Sequence, residues 1–308
     1  MTYDALGNQG TKLSWKVSVS TTVNNVPEGF IEVAGATING AVANSGVFIT
    51  GRTVVIPDLW VCEHEVTQSE YGTYCKYGGP NPSSELGLGD NFPAYWVNWY
   101  DTIVYCNLRT IAELSIDDCV YSMNGEKDPT KWVGIVGNAQ TKYCGPTTTT
   151  STWDYKGEDD VDGGIVADFT ADGYRLPTEA EWEYVARGGS ALSTQRYSGT
   201  DSVDELADYA WYQSNSGGVT HEIKQKTPNS LGIYDMTGNE WEWCYDWYGN
   251  ITSSTGPAGV SSGENRIFRG GSQNHDTYAC SVSNRAGPPH SPSIYFGDFG
   301  FRVVRNAQ

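Results

Sequence analysis

The sequence is short of positive charge. It contains 19 basic residues against 37 acidic ones, which gives a formal net charge of −18 at pH 7. A chain this acidic is repelled by phosphate backbones and by anionic lipid surfaces. The charge balance therefore argues against nucleic acid and against anionic membrane surfaces as main partners.

Histidines and paired cysteines, which often build metal and redox centres, are also scarce. The chain has four histidines, none with the partner spacing of metal ligands, and seven scattered cysteines without a Cys-x-x-Cys pair. These patterns argue against zinc ribbons and thioredoxin-type sites. The sequence leaves open whether the cysteines are buried thiols or form one or two disulfides.

Long apolar runs are missing too. No stretch approaches the length of a membrane span, and residues 1–12 lack the apolar core of a signal peptide. We expect residues 1–25 to form an N-terminal leader with one strand at about 13–23, and residues 26–308 to form one domain. The length supports a full core, and an aromatic share of 13% is too high for a disordered chain.

Local patterns predict an α+β domain with few, short strands and much irregular structure. The helix signals are a capping box, apolar residues at helical spacing, and a proline start with a glycine stop. Short strands are expected at residues 29–33 and 46–50, and helices at about 68–76, 98–114 and 177–187.

The C-terminal run, residues 266–305, has a different pattern. Its ends, 266–272 and 300–305, alternate branched or aromatic residues with others beside glycines, which predicts strands. Between them, residues 273–299 follow neither a period of two nor one of 3.6 and contain several prolines and glycines. This pattern predicts irregular loops held between two strands, with the rest of the chain as a rigid frame.

Residues 235–243, Asp-Met-Thr-Gly-Asn-Glu-Trp-Glu-Trp, place three carboxylates and a glycine turn within eight residues. Carboxylates crowded this closely repel one another unless a cation or buried hydrogen bonds hold them. The residues alone leave both interpretations open, a cation site or a hydrogen-bonded core turn without metal.

Six stretches, in order along residues 27–305, resemble the formylglycine-generating enzyme, or sulfatase-modifying factor, family. They are residues 65–68 with Tyr71, Pro93 with 97–99, 173–184, 228–229 with 231–236, 238–243, and 269–272 with 300–302. The resemblance implies a C-type lectin fold of the enlarged, helix-bearing type. It also implies a structural calcium site with the ligands Asp235, Gly238, Glu240 and Glu242, of which Gly238 and Glu240 would contribute main-chain oxygens.

The oxidases of this family bind copper through two cysteines, five residues apart, downstream of Gly-Gly-Ser. A pair of soft thiolates suits monovalent copper. In this chain the two places hold His275 and Cys280, so no copper is expected. Another branch makes carbon–sulfur bonds with iron and uses a separate His-rich helical domain, for which this chain has no room.

A third branch is formed by the variable proteins of diversity-generating retroelements. Residues 280–285 and 300–304 resemble that branch, in particular its treponemal members. The resemblance implies a non-enzymatic protein that is exported to the bacterial cell surface, with any membrane attachment through a lipid anchor outside this chain. We expect a monomer whose partner is an unidentified protein or other surface ligand.

We therefore predict a diversified ligand-binding surface on residues 273–299. Rigid aromatics with small polar groups suit such a surface, and Tyr278, Tyr295 and Phe296 are expected to carry most of the contact energy. The exposed candidates are Gln273, Asn274, His275, Asp276, Tyr278 and Ala279 in a first loop, and Ala286, Gly287, His290, Ser291, Ser293, Ile294, Tyr295, Phe296, Asp298 and Phe299 in a second.

Four residues inside this segment, Cys280, Val282, Asn284 and Arg285, are expected to be interior anchors that divide it into the two loops. Two other functions are alternatives to ligand binding. One is a metal-dependent oxidase of the formylglycine-generating type with an altered site, and the other is a structural surface domain with ordinary loops.

Overall fold

The computed structural model describes residues 26–77, 80–132, 143–144 (backbone only), 164–285 and 292–307. The predicted leader, with its strand at 13–23, lies outside these ranges. Within them the α-helices are α1 (Gln68–Tyr74), α2 (Trp99–Glu113), α3 (Glu179–Ala186) and α4 (Leu206–Tyr209), and short 3-10 helices span Ile116–Asp118, Pro129–Lys131 and Gly189–Ala191. The strands are β1 (Phe30–Val33), β2 (Ala36–Asn39), β3 (Thr53–Ile56), β4 (Leu59–Cys62), β5 (Lys76–Tyr77), β6 (Tyr121–Met123), β7 (Tyr143–Cys144), β8 (Ile165–Ala167), β9 (Trp241–Trp247), β10 (Arg266–Arg269), β11 (Phe299–Gly300) and β12 (Val304–Asn306). None of the helices in the described part of the chain is long and apolar enough to cross a membrane.

Each of the three longer helices begins at a capping box. The side chains of Thr67, Asn98 and Thr178 each accept a hydrogen bond from the backbone N–H three residues further along the chain. The acidic side chain at that later position in turn accepts a hydrogen bond from the backbone N–H of the cap residue. This arrangement satisfies N–H groups that no intrahelical bond can reach. The three predicted helices are confirmed, with ends one or two residues inside the expected limits.

Two three-stranded sheets hold the C-terminal segment. In one, β9 lies between β10, which is antiparallel to it, and β11, which is parallel to it. In the other, β4 lies between β1 and β12. The chain leaves the first sheet after Gly300 and enters the second at Val304, so the single strand expected at 300–305 is wrong. Residues 241–243, expected within a turn, instead open the seven-residue strand β9.

The strand expected at residues 46–50 is also wrong. Val47 and Phe48 are buried, but Ser45 Oγ accepts hydrogen bonds from both of their backbone N–H groups, at 3.0 and 2.8 Å. A side chain thus satisfies donors that a neighbouring strand would otherwise engage. The hairpin partner of β3 is β2.

Buried ion pairs run through the core. Arg175 binds Glu181 at 2.7 Å, and Arg187 binds Glu183 at 2.9 Å, with both carboxylates on helix α3. Buried charges are tolerated when they are paired. The Arg175 pair fixes the start of α3 to the preceding segment, and the Arg187 pair joins the helix to its own C-cap residue. In the described part of the chain, six arginines are at most 2% exposed: Arg52, Arg175, Arg187, Arg266, Arg269 and Arg302.

Candidate functional site

Helix α3 holds both ends of the first C-terminal loop. Arg269, at the end of β10, binds Glu179 at 2.7 Å and Glu183 at 2.6 Å. Arg285 binds the same Glu179 carboxylate through Nε at 2.7 Å and through Nη2 at 2.9 Å. Burial alone would raise the pKa of Glu179, but the charges of Arg269 and Arg285 lower it below its ordinary value. We call these four residues the α3 clamp.

The interior anchors of the loop lie where the sequence predicted them. Cys280, Val282 and Asn284 are buried, and Asn284 Nδ2 donates to the Tyr278 carbonyl at 3.2 Å. Gly271 has a φ of +79°, and a Cβ there would lie 2.7 Å from Cys280 Sγ. Only glycine therefore allows the chain to pack this closely against the Cys280 thiol.

Between the clamp and the anchors, the first loop presents a short row of exposed side chains. Asn274, Asp276 and Tyr278 are exposed, Tyr278 by 67%, and the His275 side chain is 42% exposed. Asp276 Oδ1 accepts hydrogen bonds from the backbone N–H groups of Tyr278 and Ala279, both at 3.0 Å. The exposed row thus stands on a local turn with a fixed backbone.

The expectation that Gln273 and Ala279 are exposed is wrong, since both are buried. The Gln273 N–H donates to the Asn239 carbonyl at 2.8 Å, and its own carbonyl accepts from Ser216 Oγ at 2.7 Å. These bonds hold Gln273 in the frame. Ala279 turns inward at the Asp276 turn and packs on the aromatic core.

Four predicted residues of the second loop, Ala286, Gly287, His290 and Ser291, lie outside the described residues. Ser293 and Phe299 are buried, contrary to expectation. Phe299 belongs to β11, where pairing with β9 directs its side chain into the core. Ile294 and Asp298 are half-buried and remain at the edge of the surface.

The aromatic side chains expected to contact a ligand do not share one environment. Burial, and then the charge of the buried Asp101 carboxylate, raises the pKa of the Tyr295 hydroxyl well above its ordinary value. Phe296 is partly buried and packs on Phe299, with ring centroids 5.2 Å apart. Of the three expected contact aromatics, Tyr278 is the well-exposed one.

His275 lies at the rim of the exposed row within a polar cluster. Trp241 Nε1 donates to His275 Nδ1 at 3.1 Å, and Ser272 Oγ lies 2.6 Å from the same nitrogen. Ser272 Oγ also donates to Asp298 Oδ2 at 2.9 Å, and this oxygen is 3.5 Å from His275 Nδ1. A nucleophilic triad needs the hydroxyl and the carboxylate on opposite ring nitrogens. Here both approach Nδ1, so the cluster fixes the imidazole without forming such a relay.

The cysteines of the described residues include both buried free thiols and a disulfide-bonded residue. Burial raises the pKa of Cys280 to about 12, so the thiol form prevails at neutral pH. Cys75 is disulfide-bonded. The free and buried cysteines are Cys62, Cys106, Cys119, Cys244 and Cys280.

Sequence patterns did not point to Trp96 and Trp211, which flank the site. Trp96 has a φ of +56°, which is uncommon for a residue with a side chain, and its N–H donates to the Phe296 carbonyl at 3.1 Å. The Trp211 carbonyl accepts from the Asn239 N–H at 2.8 Å, beside the Gln273 backbone. Both tryptophans are far from the loop in sequence, so only tertiary contacts bring them to it.

The expected calcium ligands fit a cation only in part. Asp235 has a buried Oδ1 without a hydrogen-bond partner, while its Oδ2 accepts from the Lys224 N–H at 2.9 Å. Glu242 is instead bound by Arg302 Nε at 2.7 Å and by Trp182 Nε1 at 2.6 Å. Hydrogen bonds and an arginine thus relieve the crowding of Glu242, and no group of three acidic, His or Cys side chains in the described ranges could hold a metal. Calcium coordination by Asp235 and the carbonyls of Gly238 and Glu240 stays a prediction.

Comparison with known proteins identifies the family. Residues 16–307 match the model of the sulfatase-modifying factor enzyme 1-like domain. The chain is 30% identical over 241 residues to the chaperone protein LppX of Paenibacillus barcinonensis, covering 73% of this chain and 75% of that protein. It is 35% identical over 154 residues to the formylglycine-generating enzyme of Streptomyces coelicolor, which covers 44% of this chain and 48% of the enzyme. The chain therefore belongs to the sulfatase-modifying factor enzyme 1-like domain family, although it aligns with only about half of that enzyme.

Solved structures confirm the predicted fold. The Treponema denticola variable protein 1 superposes with a TM-score of 0.68 and 30% identity, over 90% of this chain and 94% of that protein. CarF superposes with a TM-score of 0.63 and 23% identity, over 92% of this chain and 100% of that protein, and supports the fold alone. The domain has the C-type lectin fold of the formylglycine-generating enzyme type, with few helices and much irregular structure.

Proposed function

We propose that this chain is a non-enzymatic ligand-binding protein of the bacterial cell surface, with a diversified binding surface in its C-terminal segment. The observation that carries the proposal is the contrast within the first loop. The α3 clamp fixes the two ends of the loop, and the anchors fix its interior. Asn274, Asp276 and Tyr278 nevertheless point to solvent, where substitutions leave the frame intact.

The position of the oxidase cysteines supports binding over oxidation. The first position holds His275, which is engaged by Trp241 and Ser272. The second holds Cys280, which is buried against Gly271 and keeps its proton at neutral pH. Monovalent copper prefers a pair of soft thiolate ligands, and this arrangement offers a histidine in place of one of them.

Two observations support surface display: a disulfide bond and the structural similarity to a variable protein. Cys75 is disulfide-bonded, and disulfides persist in oxidising compartments outside the cytosol. The structural likeness to a variable protein points in the same direction. We propose that the partner is a protein or another surface ligand.

Sequencing the 3′ end of the gene across isolates and sibling copies tests the diversified surface. Substitutions are expected to concentrate at Asn274, His275, Asp276 and Tyr278 and in the second loop. They are expected to spare the frame positions Arg269, Gly271, Ser272, Cys280, Arg285, Gly300 and Arg302. Evenly spread substitutions, or a loop as constant as the frame, would show that the segment is not diversified.

An activity assay tests the absence of thiol oxidation separately. The protein is incubated with copper, oxygen and a sulfatase-type cysteine peptide, and formylglycine is measured by mass spectrometry. We expect no product above that of the Cys280→Ala variant. Product that depends on Cys280 would restore the oxidase alternative.

A further inference from the structure

A cavity of about 320 Å³ lies beside the C-terminal end of helix α3. Its lining comes from residues 186–188, which end the helix, from the segments 193–199 and 228–230, and from Tyr209. Ser230 in this lining is exposed, so the cavity is accessible from solvent. No described residue of the segment 273–299 lines it, and the cavity is therefore separate from the candidate binding surface of the C-terminal loops.

Two glycines allow the walls of the cavity to come together. Gly188 has a φ of +82°, and a Cβ there would lie 2.5 Å from Ser230 Oγ. Gly199 has a φ of +106°, and a Cβ there would lie 2.5 Å from both Cδ1 and Cε1 of Tyr209. A side chain at either position would displace a lining residue, in addition to the cost of the positive φ. The shape of the cavity thus depends on both glycines.

Hydrogen bonds hold the walls in place. Arg187 Nη1 donates to the Ser193 carbonyl at 3.0 Å, and the Ser193 N–H donates to the Arg187 carbonyl at 2.8 Å. Asn229 Nδ2 donates to the Val185 carbonyl at 3.0 Å, while its Oδ1 accepts from two backbone N–H groups of the turn that follows. The end of α3 is thereby joined to both neighbouring segments. Such a preformed concave site is typical of small-molecule binding.

The lining carries no net charge, although the chain has a formal net charge of −18. The one charged lining residue, Arg187, is paired with Glu183 at 2.9 Å, and both side chains are 0% exposed. By contrast, the lining of another cavity, of about 510 Å³, includes four glutamates. An ionised ligand would lose its hydration in the first cavity without meeting a free counter-charge. The cavity therefore favours a neutral ligand.

The polar groups of the lining are hydroxyls and an amide. Gln195 Oε1 accepts from Ser193 Oγ at 2.9 Å, and Gln195 Nε2 donates to the Gly199 carbonyl at 3.3 Å, which leaves its second N–H for a ligand. The hydroxyls of Tyr209 and Ser230 form no hydrogen bond within the described residues. Each hydroxyl both donates and accepts. The ring of Tyr209 adds an apolar surface beside them.

We infer that this cavity is a binding site for a neutral pyranose sugar, either free or at the end of a glycan chain. A sugar ring has many hydroxyls that both donate and accept, as the hydroxyls of the lining do. Its C–H face can pack on the ring of Tyr209, while the Tyr209 hydroxyl forms a hydrogen bond. The cavity volume lies near the lower end of the roughly 300–1,000 Å³ typical of ligand pockets, which suits a single ring.

Titration of small sugars onto the full chain tests the site. The probes are glucose, galactose, mannose and N-acetylglucosamine, each also as its methyl glycoside, followed by NMR, with glucuronate as the charged comparison. We expect saturable binding of at least one neutral sugar and none of glucuronate. Equal binding of the sugar and its methyl glycoside would assign the site to a glycan end, and loss of binding on methylation would assign it to a free sugar.

Matched variants locate the bound sugar. Ser230→Phe fills the cavity from an exposed position and should lower the affinity at least about tenfold. Ser214→Phe changes an exposed serine outside the lining and should bind like the wild type. Melting temperatures of both variants close to that of the wild type would show that each is folded. Tyr209→Ala should also weaken binding, whereas Tyr278→Ala, which removes an exposed ring of the first C-terminal loop, should not.

Three outcomes would overturn the inference: no saturable binding of any neutral sugar, equal binding by Ser230→Phe and Ser214→Phe, or a preference for glucuronate. The result is independent of the proposed function. Sugar binding that Ser230→Phe abolishes and Tyr278→Ala preserves supports the site whether or not the C-terminal loops are diversified. Sugar binding that only Tyr278→Ala abolishes would place the sugar on the C-terminal surface and refute the site beside α3.

Discussion

Glu240 and Glu242 are two residues apart and both fully buried, yet their surroundings differ. Glu242 is bound by Arg302 and by Trp182 at 2.7 and 2.6 Å, so its charge belongs to the rigid frame. The carboxylate of Glu240 has no paired cation among the described residues, and burial and then the charge of Asp298 raise its pKa well above its ordinary value. Within one short acidic motif, an arginine therefore fixes one carboxylate, and the other is buried without a paired cation among the described residues.

The difference shows that burial alone does not define the role of a carboxylate, because the presence or absence of a paired cation also matters. A buried charge with a partner does not destabilise the fold much, but removal of the partner lowers the free energy of unfolding strongly. An unpaired buried carboxylate lowers stability and persists where it meets a ligand or another specific need. The two glutamates are thus expected to respond oppositely to charge removal.

The largest effect is expected from breaking the paired side with Arg302→Met. Glu242 would remain buried without its cation, which typically costs about 3–5 kcal/mol of unfolding free energy. At roughly 2–4 °C per kcal/mol, the melting temperature should fall by about 10 °C. The matched control is Glu240→Gln, which should leave stability unchanged or raise it. A small loss of stability for Arg302→Met, or a large loss for Glu240→Gln, would contradict the expected difference between the two glutamates.

The next effect concerns two aromatic residues of the segment 273–299, one buried and one exposed. Phe299→Ala removes a side chain from the aromatic core and is expected to cost about 3–5 kcal/mol. Tyr278→Ala removes an exposed ring and should cost less than about 0.5 kcal/mol. Chemical denaturation of both variants measures the difference. Comparable losses would show that Tyr278 is part of the frame and not of the binding surface.

A smaller effect is expected from pH, because two groups in the folded protein hold protons that the unfolded chain releases. Burial, and then the charge of Glu179, raises the pKa of Asp246 to about 8. Burial alone would lower the pKa of His64, but Cys62 and Glu70 raise it to about 9. A raised pKa means that stability is present at low pH and is lost as pH rises through the folded value, by at most about 1.4 kcal/mol per pH unit for each group.

The unfolding free energy, and with it the melting temperature, is therefore expected to fall between pH 6.5 and 9, and most steeply below pH 8, where both groups contribute. Differential scanning calorimetry at constant ionic strength measures this slope. The variants His64→Gln and Asp246→Asn should flatten it over their own pH windows. A melting temperature that stays level or rises across this range would contradict the assigned shifts.

Calcium is expected to have the smallest effect, because Glu242 is already paired with Arg302. Asp235 then remains as the one carboxylate of the expected ligand set, and sites with few charged ligands bind calcium weakly. At about ten times its dissociation constant, calcium should add roughly 1.4 kcal/mol, or about 3 °C. Magnesium and the Asp235→Asn variant are the controls. No response to calcium, with no metal found by elemental analysis, would refute the site.

The sequence by itself determined the helices, the family and the fixed points of the C-terminal segment. Capping boxes at Thr67 and Thr178 act within four residues, so their helices could be predicted closely. The buried anchors Cys280 and Val282 could be inferred from their family motif. The helix caps are local patterns and the anchors belong to a known family motif, so both can be recognised in a single sequence.

Only the tertiary structure decided which acidic and aromatic side chains are exposed and which are drawn into the frame. Gln273 and Phe299 looked exposed because irregular segments usually are, but bonds to Asn239 and to β9 draw them into the frame. Glu240 and Glu242 look alike in sequence, since each follows or precedes a tryptophan in one motif. Arg302, far along the chain, reaches one of them and not the other, and long-range contacts of this kind leave no local pattern from which to predict them.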